Sequence, residues 1–419
     1  MKKTLLIFGL LLAFGGFTLA ALQITKMNRW AEDNKVPVST ANEDAEPDEI
    51  APPSMAPPSK QVSDNPDVPN PDKKQIRLGL LLDTSNSMDG LIDQAKSQLW
   101  NIVDELADAK YEGNPADLHI ALYEYGNDDL SIRNGYVRQV SDFTQDLDEV
   151  SRLLFQLQTH GGSEYCGTVM RDALNEMDWG SNESDLKMIF IAGNEPFDQG
   201  NVNFETICKN AAEEKVLINT IFCGNYQEGV ETYWQKGARL GKGQYMNIDM
   251  DRQTVYVPSP YDAKIDALND QLNDTYVAYG VKGRQSKAKQ LQEDQNAESY
   301  SRSNKVKRAI SKSKHVYKNE SWDLVDASKK EGFDLGKVEK DDLPEEMKTM
   351  SLEDKKDYLA TKVEARKMLQ EEIQLLGIER KKYVKQVQDS LSQDNQLEEA
   401  ILNSVKAQAE KNAFTFNNE

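Results

Sequence analysis

Short, almost continuous apolar runs alternate with amphipathic stretches between about Gln75 and Asp251 of this 419-residue chain. The first run, Ile76 to Asp83, is typical of a strand that is covered on both faces. Further strands are predicted at 118–125, 136–140, 186–192, 216–223 and 244–248, and helices at 147–157, 168–177, 204–214 and 232–240. This alternation predicts an α/β fold with a doubly wound, mainly parallel six-stranded sheet that is flanked by helices.

Polar residues follow the first strand, at the edge where such sheets bind ligands. Asp83, Ser85 and Ser87 stand at alternate positions there. One carboxylate and two hydroxyls are hard oxygen ligands, which suit Mg²⁺, Mn²⁺ or Ca²⁺ better than zinc. The alternative is that these residues only cap the next helix, because Asp, Ser and Asn are the usual N-cap residues.

Two more loops are placed where they could meet the first. A glycine-rich loop at 160–167 precedes a predicted helix and contains Ser163, and a loop at 191–197 directly follows the fourth strand and contains Asn194. With these loops the chain resembles the von Willebrand factor A-like (VWA) family of the exported bacterial type. Members of that family hold a divalent cation in a metal-ion-dependent adhesion site formed by three such loops.

The resemblance implies a ligand set in this chain. The family pattern Asp-x-Ser-x-Ser matches Asp83, Ser85 and Ser87 in full, Ser163 stands for the second-loop Thr, and Asn194 stands for the third-loop Asp. Asn supplies a neutral carbonyl where a carboxylate is usual, so the resemblance implies a weaker or more selective site. A metal-free site is the alternative.

Two neighbouring acids are additional candidates for the metal or the partner. Glu195 follows Asn194 directly, and Glu164 follows Ser163. The resemblance implies Mg²⁺ first, with Ca²⁺ and Mn²⁺ as alternatives, and a protein partner that supplies an acidic side chain to the cation. It implies a binding or adhesion module rather than an enzyme.

A metal-dependent cell-wall hydrolase is the less favoured reading. A hydrolase needs a general base positioned beside the metal, and His160 and Glu164 are the only candidates for that role on the loop at 160–167. The chain has no nucleophile elbow, Walker loop or paired-cysteine zinc spacing. We therefore expect no enzymatic activity.

The N-terminal residues predict export. Lys2 and Lys3 precede an apolar run from Leu5 to Leu22, which is typical of a secretory signal peptide, although a run of this length can also remain as an inner-membrane anchor. Residues 23–74 are predicted to be an acidic, proline-rich linker. The expected location is the periplasm or cell envelope.

Charge separates the remaining regions. With 50 basic and 70 acidic residues the formal net charge is −20, which argues against a general nucleic-acid binder. Lys282 to Lys318 nevertheless holds eleven basic residues against three acids. This segment could bind an anionic envelope polymer or lipid, or it could pair with acids of the same chain.

The C-terminal third is predicted to be mostly α-helical, with a connecting region at 252–350 and amphipathic helices at 351–419. These helices could pack within the chain or form a coiled coil with another chain. A metal-free scaffold that recruits partners through this tail is the alternative function. Cys166, Cys208 and Cys223 allow at most one disulfide, and the sequence does not identify the pair.

Overall fold

The computed structural model describes residues 74–248, 256–390 and 396–416. The predicted signal peptide or anchor at 1–22 and all of the linker before residue 74 lie outside the described residues. Among the helices that are described, none is long and apolar enough to cross a membrane.

Nine strands occur in the described ranges. They are β1 (Gln75–Asp83), β2 (Lys110–Tyr111), β3 (Asn114–Pro115), β4 (Asp117–Tyr125), β5 (Val137–Thr144), β6 (Leu186–Gly193), β7 (Val216–Cys223), β8 (Lys242–Ile248) and β9 (Phe414–Thr415).

Twelve α-helices are described alongside them, together with five short 3-10 turns. The helices are α1 (Ile92–Leu106), α2 (Leu147–Gln156), α3 (Cys166–Glu176), α4 (Phe204–Glu213), α5 (Tyr226–Glu231), α6 (Trp234–Leu240), α7 (Asp262–Asn273), α8 (Gly280–Tyr300), α9 (Arg302–Lys312), α10 (Leu324–Ala327), α11 (Leu352–Ser390) and α12 (Gln396–Lys411).

Six strands form one sheet in the order β5-β4-β1-β6-β7-β8. All neighbouring pairs are parallel except β4 with the edge strand β5. The predicted α/β class and the six-stranded, mainly parallel sheet are therefore confirmed. In this register Asp83 lies beside Tyr125, and Leu82 lies beside Ala192, so the carboxyl ends of β1, β4 and β6 meet at one edge.

Consecutive residues of β1 face opposite sides of the sheet, as the pleat of a strand requires. Leu80 and Leu82 enter one core with Leu99 of α1, whereas Leu81 enters the other core with Val169 of α3. Because both faces of β1 are buried, its sequence is a nearly uninterrupted apolar run.

The helical C-terminal region shares the first of these cores. Ile265, Val306, Val405 and Phe414 belong to the same cluster as the residues of β1 and α1. Helix α11 packs on α7 and α9, helix α12 packs on α1, and β9 pairs antiparallel with β2. For the C-terminal helices, these contacts favour packing within the chain over a coiled coil with another chain.

The basic segment of 282–318 is largely engaged by acids of the same chain. Arg308 Nη2 lies 2.9 Å from Asp148 Oδ1 of α2, and Arg308 Nε donates to Asp294 Oδ1 at 2.6 Å. Other pairs in this segment are Lys289 with Glu149, Lys312 with Asp294, Lys314 with Asp104 and Asp108, and Lys318 with Asp117. Of the two predicted alternatives, this geometry favours internal pairing.

Cys166, Cys208 and Cys223 are buried free thiols. Burial raises the pKa of each thiol, most strongly for Cys166 at the start of α3 and less for Cys208, whose pKa rises to about 12. Because the thiolate is the reactive form, all three act as small apolar side chains.

Candidate metal centre

Backbone hydrogen bonds join three loops at the carboxyl edge of the sheet. The amide of Thr84 donates to the carbonyl of Tyr125 at 2.9 Å, and the amide of His160 donates to the carbonyl of Thr84 at 2.9 Å. The amide of Asn86 donates to Gly161 O at 2.7 Å. The loop after β1 is thereby held between the loop after β4 and the loop before α3.

Asp83 ends β1 with its side chain completely buried. Its Oδ1 accepts a hydrogen bond from the Ser85 amide at 2.8 Å, and its Oδ2 has no hydrogen-bond partner. Burial raises the pKa of this carboxyl to about 7, and repulsion from Glu164 adds to the rise. An ionised carboxylate that is buried with one oxygen unpartnered lowers the stability of the fold. A cation bound at Asp83 would offset that cost.

A short chain of hydrogen bonds connects the first and third loops. Ser85 Oγ and Ser87 Oγ are 2.8 Å apart, and Ser87 Oγ donates to Asn194 Oδ1 at 2.9 Å. The Asn194 amide returns a hydrogen bond from Nδ2 to the carbonyl of Ser87 at 2.8 Å. Four of the predicted site residues, Asp83, Ser85, Ser87 and Asn194, are therefore brought together.

The second loop contributes a different side chain to the site from the one that the family resemblance implied. Ser163 is half-buried, and within the described chain its hydroxyl makes no hydrogen bond to Asp83, Ser85 or Ser87. Glu164 is only 7% exposed, and its carboxylate interacts with the Ser85 hydroxyl. The pKa of Glu164 is raised, first by burial and then by repulsion from Glu195.

Glu195 lies at the rim of this cluster, half-buried. Its carboxylate accepts a long hydrogen bond from Gln199 Nε2 at 3.4 Å, and its carbonyl accepts one from Trp234 Nε1 at 2.8 Å. The indole anchors the backbone of the third loop, in which Asn194 lies beside the first loop.

Two glycines permit this close approach of loops. A Cβ on Gly126, whose φ is +80°, would lie 2.8 Å from Asp83 Oδ1 and 2.9 Å from Glu164 Cγ. A Cβ on Gly162, whose φ is +149°, would meet Glu164 Oε1 and Ser85 Cβ. Asp83, Ser85 and Glu164 thus surround a small common space that no side chain at these positions could share.

The loop after β4 was not singled out from the sequence, yet it borders the site. Besides Gly126 it contains Asn127, whose Nδ2 donates to the carbonyl of Gln158 at 3.1 Å, and Asp128, whose amide donates to the carbonyl of His160 at 3.1 Å. The sequence could have indicated this loop, because the strand predicted at 118–125 is parallel to β1 and the carboxyl ends of parallel strands meet at one edge of the sheet.

His160, the residue considered for general-base catalysis, is mostly exposed. Its Nδ1 lies 3.6 Å from Asp129 Oδ1, on the outer side of the loops. The side chain is 60% exposed, which suits a loop surface better than a position against the Asp83 carboxylate.

The residues present fit a hard divalent cation. The donors are the Asp83 carboxylate, two serine hydroxyls and the Asn194 carbonyl, with the Glu164 carboxylate adjacent. The buried Oδ2 of Asp83, which has no hydrogen-bond partner, lies beside Gly193 at the end of β6. No group of three or more His, Cys, Asp or Glu side chains suited to a metal occurs in the described ranges. The donors are oxygens, which suit Mg²⁺, Ca²⁺ or Mn²⁺ better than zinc, because zinc prefers nitrogen and sulfur ligands.

Comparisons with known proteins concern the fold. No protein-family model and no curated protein matches the chain. Three of the similar solved structures are the conserved hypothetical protein BatB from Bacteroides thetaiotaomicron, the SpRpn10 VWA domain, and proximal thread matrix protein 1 from the mussel byssus with a zinc-occupied MIDAS motif. Their identities are 15%, 16% and 12%, with TM-scores of 0.33, 0.33 and 0.32. The matches cover 42%, 44% and 43% of this chain, and 90%, 90% and 43% of those chains.

The mainly parallel six-stranded sheet and the three loops at its carboxyl edge agree with the fold that the sequence resemblance implied. The domain that begins at β1 and ends at β8 has a VWA-like fold.

Proposed function

We propose that this protein is an exported, cell-envelope binding protein whose VWA-like domain engages a protein partner through a divalent cation. The observation that supports the proposal is the buried Asp83 carboxylate, one oxygen of which has no partner in the protein. Asp83, Ser85, Ser87 and Asn194 would hold the cation, with Mg²⁺ first and Ca²⁺ or Mn²⁺ as alternatives. When bound, it offers a coordination position to an acidic side chain of the partner.

The position of the site suits binding more than catalysis. Ser87 is exposed and Asn194 is half-buried, so the cluster opens to solvent at one side while Asp83 closes it from below. A partner can therefore reach the cation without entering a deep pocket. We propose that the protein is not an enzyme, because His160 lies at the loop surface beside Asp129, and Glu164, the other candidate for a general base, is buried against Ser85.

The proposal is tested by a pull-down from envelope extract, with the full-length protein as bait in Mg²⁺ or in EDTA. We expect partners captured in Mg²⁺ to be lost in EDTA, and also lost with Asp83→Ala and Asp83→Asn. Asp198→Ala, which removes an exposed acid on the third loop, is the matched control and should retain them. Equal capture in EDTA and Mg²⁺ would contradict cation-dependent binding.

A metal-free scaffold is the second candidate, and one observation favours it. Ser87 and Asn194 satisfy each other through two hydrogen bonds, so this part of the site is complete without an ion. Metal analysis of the purified protein after dialysis in Mg²⁺ separates the candidates. The binding proposal requires about one bound ion per chain, whereas a scaffold binds none.

A further inference from the structure

Glu164 lies beside Ser85 at the space next to Gly162, and it directly follows Ser163, the residue that the family pattern aligns with the second-loop Thr. Its side chain is 7% exposed, and its carboxylate borders the same space as Asp83 and Ser85. Ser163, one residue earlier, makes no side-chain hydrogen bond to the described residues of the cluster. The second loop thus offers a carboxylate to the site, and not the expected hydroxyl.

The charges around this space are one-sided. Two carboxylates, Asp83 and Glu164, are buried next to each other, and a third acid, Glu195, lies close to Glu164. Within the described residues, neither Asp83 nor Glu164 forms an ion pair with a basic side chain. Like charges in a buried site repel, and a proton on one carboxyl or a cation between the two relieves the repulsion.

We infer that Glu164 is the second carboxylate ligand of the cation, and that it replaces the carboxylate which the third loop lacks at Asn194. The inference rests on the proposed function, since it concerns the same site. Two carboxylates neutralise a divalent ion, so the protein retains the ion tightly before any partner arrives. A site with Asp83 as its only carboxylate would leave the ion half-neutralised.

Three variants of the full-length protein test the assignment by calorimetric titration with MgCl₂ and, separately, CaCl₂ after removal of metal with EDTA. Glu164→Gln keeps the size of the side chain but removes its charge, and we expect its dissociation constant to rise by about tenfold or more. Ser163→Ala should change the constant by less than about threefold. Asn194→Asp in the Glu164→Gln background returns a carboxylate to the site and should restore most of the affinity.

Melting temperatures in EDTA check that the variants fold. Glu164→Gln should melt no lower than the wild type, because it removes a charge that repels Asp83. If the wild type binds the cation, but Glu164→Gln binds equally well and Ser163→Ala loses affinity, the inference is wrong and the proposed function stands. If the wild type takes up neither ion, both are wrong.

Discussion

Asp83 illustrates at the scale of one residue how a binding site can oppose stability. Its ionised form is buried with one oxygen unpartnered, and burial raises the pKa of the carboxyl to about 7. In the unfolded chain the carboxyl ionises near its ordinary pKa of 3.8. The contribution of this carboxyl to stability is therefore fully present below pH 3.8, where both states are protonated, and is lost as the pH rises through about 7.

Asp83→Asn should therefore stabilise the metal-free protein at neutral and higher pH. We expect the free energy of unfolding in EDTA at pH 8 to rise by about 1–3 kcal/mol, less than the shift in pKa alone implies, because the buried amide also lacks a partner. At pH 5 the gain should be smaller, since the wild-type carboxyl is then protonated.

Urea denaturation at both pH values measures this difference. Added Mg²⁺ should stabilise the wild type and leave the Asp83→Asn variant unchanged. If Asp83→Asn is less stable than the wild type at pH 8 in EDTA, the Asp83 carboxylate does not destabilise the metal-free protein.

At the scale of elements, buried ion pairs connect the helical region to the sheet domain. Arg308 of α9 is buried and lies against Asp148 of α2 and Asp294 of α8. The hydroxyl of Tyr317 donates to Asp148 Oδ2 at 2.6 Å. A buried ion pair stabilises a fold little more than a well-packed apolar pair does. Removal of one partner is nevertheless costly, because it leaves the other charge buried and uncompensated.

Asp148→Asn should accordingly destabilise the protein by about 1–3 kcal/mol, because Arg308 keeps Asp294 but loses one of its two counter-charges. The loss is measured as a lower melting temperature at pH 7. Glu183→Gln removes one partner of the exposed pair with Lys215 and serves as the control, which should melt like the wild type. If Asp148→Asn also melts like the wild type, the network does not hold the helices in place.

At the scale of the whole molecule, the last described residues complete the fold. Phe414 is 1% exposed in the core that contains β1, and its ring centroid lies 6.0 Å from that of Tyr111. Strand β9 adds a third strand to the β2–β3 hairpin. Because the core continues from the sheet domain into the helical region, we expect both to unfold together.

Phe414→Ala should lower the free energy of unfolding by about 3–5 kcal/mol, the usual effect of removing a buried aromatic ring. The unfolding transition should remain single when followed by both tryptophan fluorescence and circular dichroism. Thr415→Ala, at the exposed neighbouring position, should have little effect. A separate early transition in Phe414→Ala, with the main transition unmoved, would show that the helical region is an independent unit.

Much of the sheet domain could be predicted from local pattern. The apolar run ending at Asp83 became β1, and the run at 216–223 became β7 with the same bounds. Burial on both faces produces these runs, and this property is visible in a single segment. The helix predicted at 232–240 is α6 (Trp234–Leu240), whereas the short helix α5 (Tyr226–Glu231) before it was not predicted; the two are separated where Tyr233 adopts a φ of +71°. That break depends on how Trp234 reaches the carbonyl of Glu195, which is a contact between segments.

The parallel sheet and the convergence of Asp83, Ser85, Ser87 and Asn194 could be read from the amino-acid pattern, because parallel strands carry their following loops to one edge. The three-dimensional fold was needed to show that Glu164 rather than Ser163 faces this cluster, since the backbone angles at Gly161 and Gly162 set the direction of the loop. It also decided that the cations of 282–318 face acids of α1, α2 and α8. Such pairings depend on contacts between residues far apart in the chain, which periodicity within one segment does not encode.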